Sequence, residues 1–343
     1  MVTCTICNQP FFNLKEYREY APKCIHEDHR FSDVEVKFDD SSGGLESNYA
    51  VVGAIGSGKS YFIYSLLHTL LENQPAELTN YMDKVNMYVQ PPLGEKAREQ
   101  YKKQKTMMLN GTIIGTRRRD EQNNVPINIS IKVGRGTSQK KIRITFFDIS
   151  GENFANPNYL RQEARVHKAK GIIFLIPPWE DVRLNNLLKD ISDYNFEVDD
   201  FIIYEHLFQA IRHNTNAKYL RKVSTPIAFC LSMFDLLEDY VPEKIKGNPY
   251  LEMDTMMHNN LFDFPKAESN GIKIKNFLTR NSRLPLKGIE DKFSKVNYFA
   301  ISSIGHSDFE NIRTREFQPK GILAPLFWLM AENQFIQSTR NNY

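Results

Sequence analysis

The sequence predicts an α/β fold with a mostly parallel sheet, one antiparallel edge strand and helices on both faces. Three observations lead to this prediction. Apolar strands such as GIIFLI at 171–176 alternate with helical segments, a pattern typical of a parallel sheet covered on both sides. Two adjacent strands within 127–149 are joined by the polar turn GRGTSQKK, which predicts a hairpin. A glycine-rich loop lies between a strand and a helix near residue 53.

Composition places the chain among ordinary globular proteins. Its 343 residues are 41% hydrophobic and 25% charged, and the length predicts one enlarged domain or a domain with a small appendage. The net charge of +3 does not favour nucleic-acid or membrane partners. The N-terminus lacks the basic start and apolar run of a secretory signal, and the apolar runs are too short to cross a bilayer. We therefore expect a cytoplasmic protein.

Residues 1–35 are predicted to form a separate zinc-binding module. Cys4 and Cys7 form a C-x-x-C knuckle, and Cys24 follows with His26 and His29. Zinc prefers four tetrahedral thiolate or imidazole ligands, so the three cysteines and one histidine can complete a structural site. We prefer His29 as the fourth ligand because its spacing from Cys24 is usual for zinc fingers, with His26 as the alternative. A redox-active thiol pair is less favoured because no βαβ pattern surrounds it.

The segment 53–60, GAIGSGKS, fits the pattern of a phosphate-binding loop in full. Glycines allow successive backbone N–H groups to point at phosphate oxygens, and the helix that follows adds the positive end of its dipole. Lys59 is expected to reach the β and γ phosphates and Ser60 to bind magnesium. The preceding strand, YAVVG (49–53), and the following helix supply the context that the pattern requires.

The remaining elements follow in chain order. Ile63, Leu66, Leu67 and Leu70 recur at helical spacing after the loop, which predicts an amphipathic helix. The polar stretch 72–125, with KKQK at 102–105 and RRR at 117–119, is interpreted as a long connection with solvated charges. After the hairpin and the strand at 171–178, we predict helix at 181–222, a strand with its exit loop at 226–235 and another strand at 297–305. The segment 236–296 is interpreted as a partly helical insertion, and 322–333 as a closing amphipathic helix.

Three short segments bear on the identity of a bound nucleotide. In FFDISGEN (146–153), Asp148 ends an apolar strand and can hold magnesium, and the Gly151 N–H can meet the γ-phosphate. In LSMFD (231–235), Asp235 can accept two hydrogen bonds from a guanine edge, although it can instead cap the following helix. AISSIG (300–305) offers backbone N–H groups of Ser302 and Ser303 to the base.

The order of these motifs resembles that of P-loop GTPases of the translation-factor-like and Ras-like class. Within it, the chain resembles bacterial GTPases of double-GTPase and conflict-system type, which can carry an N-terminal zinc knuckle. The segments behind this resemblance are DISGE (148–152), GIIFLIPP (171–178), SMFDLL (232–237) and the terminal helix around APLFWLM. The resemblance covers 48–335, less the insertion. It departs from the family pattern N-K-x-D because Ser232 and Met233 stand where Asn and Lys are usual.

The resemblance implies the site residues. Nucleotide contacts are expected from Gly53, Gly56, Ser57, Gly58, Lys59, Ser60, Tyr61, Asp235, Ser302 and Ser303. Magnesium ligands are expected from Ser60, Asp148 and a switch threonine, for which Thr116 is preferred over Thr112. Catalysis is assigned to Lys59, Gly151 and Glu152, with Glu152 orienting water or remaining a solvated switch residue. Arg117, Arg118 and Arg119 follow Thr116; one of them can act as an arginine finger, but exposed loop charge is the preferred interpretation.

We therefore expect a GTP-binding protein that hydrolyses GTP with magnesium and acts as a switch on protein partners. A role in a bacterial antiphage or conflict system follows from the resemblance alone. Two alternatives stay open. The chain can be a P-loop ATPase in which Asp148 is the metal-binding carboxylate and Asp235 is structural, or a nucleotide-gated scaffold with negligible turnover.

Overall fold

The computed structural model describes most of the chain between residues 45 and 342. Its described residues are 2–3, 10–11, 45–53, 56–92, 95–110, 127–134, 139–148, 169–188, 209, 222–240, 248–305 and 317–342. The predicted zinc ligands, both candidate switch threonines, Arg117–Arg119, Gly151 and Glu152 lie outside them. For Asp148, the structure describes the backbone, as the last residue of the strand Lys140–Asp148.

Seven strands among the described residues form one sheet. They are β1 (Leu45–Gly53), β2 (Tyr88–Gln90), β3 (Ile127–Val133), β4 (Lys140–Asp148), β5 (Gly171–Ile176), β6 (Ile227–Leu231) and β7 (Val296–Ala300). Their order across the sheet is β7-β6-β5-β1-β4-β3-β2. β1, β4, β5, β6 and β7 run parallel, which confirms the predicted mostly parallel sheet.

The predicted hairpin is present, but its first strand is not the edge of the sheet. β3 pairs antiparallel with β4 from Ile127 opposite Phe146 to Val133 opposite Lys140. On its other side β3 pairs antiparallel with β2, which is therefore the edge strand. The prediction of a single antiparallel edge strand was wrong because the three residues of β2 are too short to give a periodic signal in the sequence.

Helices flank the strands along the chain. They are α1 (Lys59–Leu71), α2 (Ala76–Val85), α3 (Glu95–Leu109), α4 (Val182–Leu187), α5 (Met253–Met256), α6 (Phe264–Asn281), α7 (Leu286–Lys292) and α8 (Ala324–Glu332). Short 3-10 helices occur at Pro178–Glu180, Phe234–Tyr240 and Thr339–Asn342. Two-residue strands pair at Val2–Thr3 with Pro10–Phe11 and at Met257–His258 with Leu261–Phe262.

The sheet is buried on both faces, as predicted. Tyr49 and Val51 of β1 point to one apolar cluster, which contains α1 and α8. Ala50 and Val52 point to the other, which contains residues of α4, α6 and α7. All four side chains are fully buried, as expected for a central strand of a parallel sheet. Among the described residues, none of the helices has the length and apolarity needed to cross a membrane.

Two helical predictions differ in outcome. Ile63, Leu66, Leu67 and Leu70 of α1 are all buried, which confirms the predicted apolar face. The closing helix exists as α8, with a proline in its first turn. It is not amphipathic, however, because every residue from Ala324 to Ala331 is buried. A helix that packs between several elements hides all its faces, and α8 contacts both the sheet and, through Phe327 and Tyr81, α2.

The stretch 72–125 is more ordered than the sequence suggested. It contains α2, β2 and α3, so the interpretation as a long connection was wrong for residues 76–109. Lys102 and Lys103 of the KKQK run are exposed on α3, as predicted for a solvated face. Lys105 instead joins α3 to α1 through an ion pair with Glu72 at 2.5 Å. The high content of charged residues in α3 masked its helical period.

Candidate functional site

The phosphate-binding loop lies between β1 and α1. Gly53 ends β1, Gly58 precedes α1, and Lys59 is the first residue of the helix. Gly56 and Gly58 have φ angles of 77° and 79°, a left-handed conformation that is costly for residues with a Cβ. The strand, loop and helix context predicted from the sequence is therefore present.

Close packing around the loop explains two of its glycines. A Cβ on Gly53 would lie 2.6 Å from both the Leu175 carbonyl oxygen and the Ser57 Oγ, so this position excludes larger residues. A Cβ on Gly58 would lie 3.0 Å from the Met233 Cε. The loop thus rests against the ends of β5 and β6, which fixes its position on the sheet.

Lys59 is held inside the loop. Its side chain is 2% exposed, and its Nζ donates hydrogen bonds to the Gly53 carbonyl at 2.9 Å and the Ser57 Oγ at 3.4 Å. Ser60 is also buried, in the first turn of α1. An ammonium group, a hydroxyl and a helix N-terminus therefore share one short segment, which is the chemistry that binds the phosphates of a nucleotide.

Asp148 lies at the same edge of the sheet as the loop. β1 and β4 are parallel, and Val51 is opposite Asp148. Asp148 is thus level with the strand end that leads into the loop. Its backbone position is compatible with the predicted magnesium site beside Ser60.

The end of β6 is joined to the phosphate-binding loop. Ser232 is buried, and its Oγ donates a hydrogen bond to the Ser57 carbonyl at 3.0 Å. Met233 has a left-handed φ of 51° and places its methyl group against Gly58. The two residues that depart from the N-K-x-D pattern therefore connect the end of β6 to the loop, through a hydrogen bond and an apolar contact.

Asp235 and Ser302 meet at the other end of the site. Asp235 is 7% exposed and Ser302 is fully buried. The pKa of Asp235 is raised to about 6, mainly by burial. A hydrogen bond from the Ser302 side chain acts in the opposite direction. The Ser302 Oγ also accepts a hydrogen bond from the Gly305 N–H at 2.8 Å. The two segments predicted to contact a base are thus adjacent.

Backbone and side-chain bonds hold the 301–303 loop against its neighbours. The Phe234 N–H donates to the Ile301 carbonyl at 3.1 Å. The Ser65 Oγ of α1 donates to the Ser303 carbonyl at 2.8 Å. Ser303 therefore uses its carbonyl within the protein, and its N–H remains the group predicted to face the base.

A charged cluster next to Asp235 was missed by the sequence analysis. The Glu238 Oε1 accepts hydrogen bonds from the Tyr250 hydroxyl at 2.6 Å and the Lys320 Nζ at 2.8 Å. Glu252 accepts one from the Gly321 N–H at 2.6 Å, and burial raises the pKa of its carboxyl. These residues are separated by up to 82 positions along the chain and follow no motif. In the part of the chain that the structure describes, no group of three or more His, Cys, Asp or Glu side chains forms a metal site.

Comparisons with known proteins give structural likenesses only. No protein-family model matches the chain, and no curated protein matches it by sequence. Among solved structures, the small GTPase Arl6 (BBS3) of Trypanosoma brucei with bound GppNp has 11% identity and a TM-score of 0.34, covering 85% of this chain and 100% of that one. The signal recognition particle receptor SRb–GTP/SRX complex of Chaetomium thermophilum has 13% identity and a TM-score of 0.31, covering 78% of this chain and 96% of that one.

A third structure is the GTPase-like domain of Ski7 from Saccharomyces cerevisiae bound to GTP. It has 14% identity and a TM-score of 0.35, covering 86% of this chain and 52% of that one. Similarities at this level carry no functional argument, so we base the function on the residues of this chain.

Proposed function

We propose that this protein binds GTP with magnesium, hydrolyses it, and acts as a nucleotide-dependent switch. The observation that carries the proposal is a hydrogen bond that joins the phosphate-binding loop to the segment proposed to bind the base. Ser232 hydrogen-bonds to the Ser57 carbonyl of the phosphate-binding loop, and Asp235 lies three residues further on. The carboxylate is thereby held at a fixed place relative to the loop, as recognition of one nucleotide at both ends requires.

The phosphate end is formed by the loop and the start of α1. Lys59, with its buried ammonium held by Gly53 and Ser57, would shift its bonds to the β and γ phosphates. The backbone N–H groups of Gly56, Ser57, Gly58, Ser60 and Tyr61 would donate hydrogen bonds to the phosphate oxygens. Ser60, Asp148 and Thr116 are the proposed magnesium ligands; the bound ion would neutralise phosphate charge.

The base end is formed by Asp235 with Ser302 and Ser303. An ionised Asp235 can accept hydrogen bonds from the N1–H and N2 amino group of guanine. Adenine has no donor at N1, so it leaves a buried carboxylate unpaired at a cost of about 1–3 kcal/mol. Met233 can pack over the face of the base because its methyl group already lies beside the loop.

Hydrolysis is assigned to residues that follow Asp148 in the sequence. Glu152 would orient or deprotonate the attacking water, and the Gly151 N–H would bind the γ-phosphate. Phosphate release measured for the wild type and Glu152→Ala tests this assignment. Tight binding without turnover in either protein would favour a nucleotide-gated scaffold.

A titration of fluorescent GTP against ATP, with magnesium present, tests the base assignment. We expect GTP to bind at least about tenfold more tightly, because only guanine satisfies both acceptor positions of Asp235. Equal or tighter binding of ATP would favour the P-loop ATPase and would leave Asp235 with a structural role.

The N-terminal module and the pathway are proposed on sequence alone. Cys4, Cys7, Cys24 and His29, or His26, would bind structural zinc. Residues 1–35 and 48–335 would be separate units, the second with an insertion at 236–296. Protein partners in a bacterial conflict system remain a proposal from the resemblance.

A further inference from the structure

The helix that begins at the phosphate-binding loop also reaches the loop proposed to bind the base. Lys59 and Ser60 are the first residues of α1, and Ser65 lies on its second turn. Ser65 is fully buried, and its Oγ donates a hydrogen bond to the Ser303 carbonyl at 2.8 Å, across 238 positions of the sequence. Lys59 and Ser65 are six residues apart, or about 9 Å along a helix. One helix therefore contacts both proposed ends of a bound nucleotide.

The single proton of the Ser65 hydroxyl has two acceptors within reach. Besides the Ser303 carbonyl at 2.8 Å, the Met108 Sδ of α3 lies 3.2 Å from the Ser65 Oγ. A thioether sulfur is a weak acceptor, whereas a backbone carbonyl is a strong one. The proton therefore belongs to the bond with Ser303, and Met108 contributes mainly packing.

Backbone hydrogen bonds fix the residues before and after Ser303. The Ser302 N–H and carbonyl both pair with Lys320 at 2.9 Å, and the Ile304 carbonyl accepts a bond from the Gln318 N–H at 3.2 Å. The bond to Ser303 itself comes from α1. Only two soft dihedral angles separate the N–H of a residue from its carbonyl, so fixing the Ser303 carbonyl limits the directions in which its N–H can point.

We propose that Ser65 is a positioning residue for base recognition, which sets the place of the Ser303 backbone relative to the phosphate-binding loop. The Ser303 N–H then meets the O6 oxygen of a bound guanine while Lys59 holds the phosphates. The inference rests on the proposed function, because Ser65 acts through Ser303 on a base bound between these two ends. It gives α1 a role at the base in addition to its role at the phosphates.

Three variants separate this role from a general effect on stability. Ser65→Ala removes the hydroxyl with little change in volume. Thr69→Val is the matched control, because Thr69 lies one turn further along α1, is 4% exposed, and has a buried Oγ1 with no hydrogen-bond partner in the part of the chain that the structure describes. Met108→Leu removes the sulfur and keeps the apolar packing.

The test is the affinity of the full chain for GDP, inosine diphosphate and pyrophosphate, measured by calorimetric titration with magnesium present. Hypoxanthine keeps the O6 oxygen of guanine and lacks its amino group, and pyrophosphate has no base. We expect Ser65→Ala to weaken binding of both nucleotides by the same factor, about fivefold, and to leave pyrophosphate binding unchanged. Thr69→Val and Met108→Leu should match the wild type for all three ligands.

Three results would overturn the proposal. The first is wild-type affinity for GDP in Ser65→Ala, and the second is an equal loss for pyrophosphate, which would make the effect general to the site. The third is a loss confined to GDP, which would place the effect at the amino group and not at the O6 oxygen.

Hydrogen exchange in nucleotide-free protein separates this inference from the proposed function. In Ser65→Ala we expect peptides that contain residues 301–305 to exchange about fivefold faster than in the wild type, and in Thr69→Val to exchange at the wild-type rate. If the wild type bound no guanine nucleotide, the proposed function would be wrong, and faster exchange would still support the role of Ser65 in positioning the loop. Unchanged exchange in Ser65→Ala would overturn that role whether or not GTP binds.

Discussion

Replacing Ser232 with alanine tests the connection between the two ends of the site. The Ser232 Oγ donates to the Ser57 carbonyl at 3.0 Å, and both residues are at most 2% exposed. A buried hydrogen bond contributes about 1 kcal/mol net, and more where its loss leaves the carbonyl unpaired. Because the carbonyl belongs to the phosphate-binding loop, that free energy should appear in ligand binding. We expect affinity for GDP to fall about three- to tenfold.

Ser282→Ala is the matched control. The Ser282 Oγ donates to the Leu278 carbonyl at 2.7 Å and Ser282 is 5% exposed, but its hydroxyl partners, Leu278 and Leu284, do not belong to the loop. Calorimetric titration with GDP and thermal unfolding should be measured for both variants. We expect both to lose some stability and only Ser232→Ala to lose affinity. Wild-type affinity in a less stable Ser232→Ala would refute the idea that this bond organises the loop.

Three further predictions concern the phosphate-binding loop, the buried Asp235 carboxyl and the N-terminal cysteines. Gly58→Ala should abolish tight nucleotide binding, because φ is 79° and the new Cβ would meet Met233 at 3.0 Å; Gly288→Ala, whose Cβ would have its nearest neighbour at 3.9 Å, should leave GDP affinity unchanged in the same titration. Asp235→Asn should raise the melting temperature of nucleotide-free protein above about pH 6. In the folded protein the pKa of Asp235 is raised from 3.8 to about 6, so the folded state binds this proton more tightly than the unfolded state does. The stabilisation that comes from the protonated carboxyl is complete below pH 3.8 and is lost as the pH rises to about 6. The gain in melting temperature should disappear in acid, and a gain that is independent of pH would contradict this reasoning. Purified protein should contain about one zinc per chain by elemental analysis, and Cys4→Ser with Cys7→Ser should remove it; unchanged metal content would exclude the proposed ligands.

The sequence predicted the parts of the fold that have strong periodic or motif signals. The β1-loop-α1 unit was predictable because Gly53, Gly58 and Lys59 have fixed spacing, and the apolar face of α1 repeats at helical period. The apolar strands β5 and β6 were found because each is a continuous buried run. The edge strand β2 was missed because three residues carry no period, and α3 because its charged residues obscure its apolar face.

The site was predictable only where it is local in sequence. Asp235 and Ser302 follow strands whose carboxyl ends meet at one edge of a parallel sheet, so their proximity follows from topology. The roles of Ser232 and Met233 as links to the loop were not predictable, because a hydrogen bond over 175 positions leaves no local pattern. Lys320 and Glu238 were missed for the same reason.

The central claim is that Asp235 recognises guanine while the loop holds its phosphates. The most direct measurement is the binding of GTP and xanthosine triphosphate to the wild type and Asp235→Asn. Xanthine carries an oxygen where guanine has its amino group, so the asparagine amide can donate where the aspartate accepted. We predict that Asp235→Asn binds GTP at least about tenfold more weakly and gains affinity for xanthosine triphosphate. An unchanged preference for GTP, or no preference for guanine in the wild type, would contradict the account.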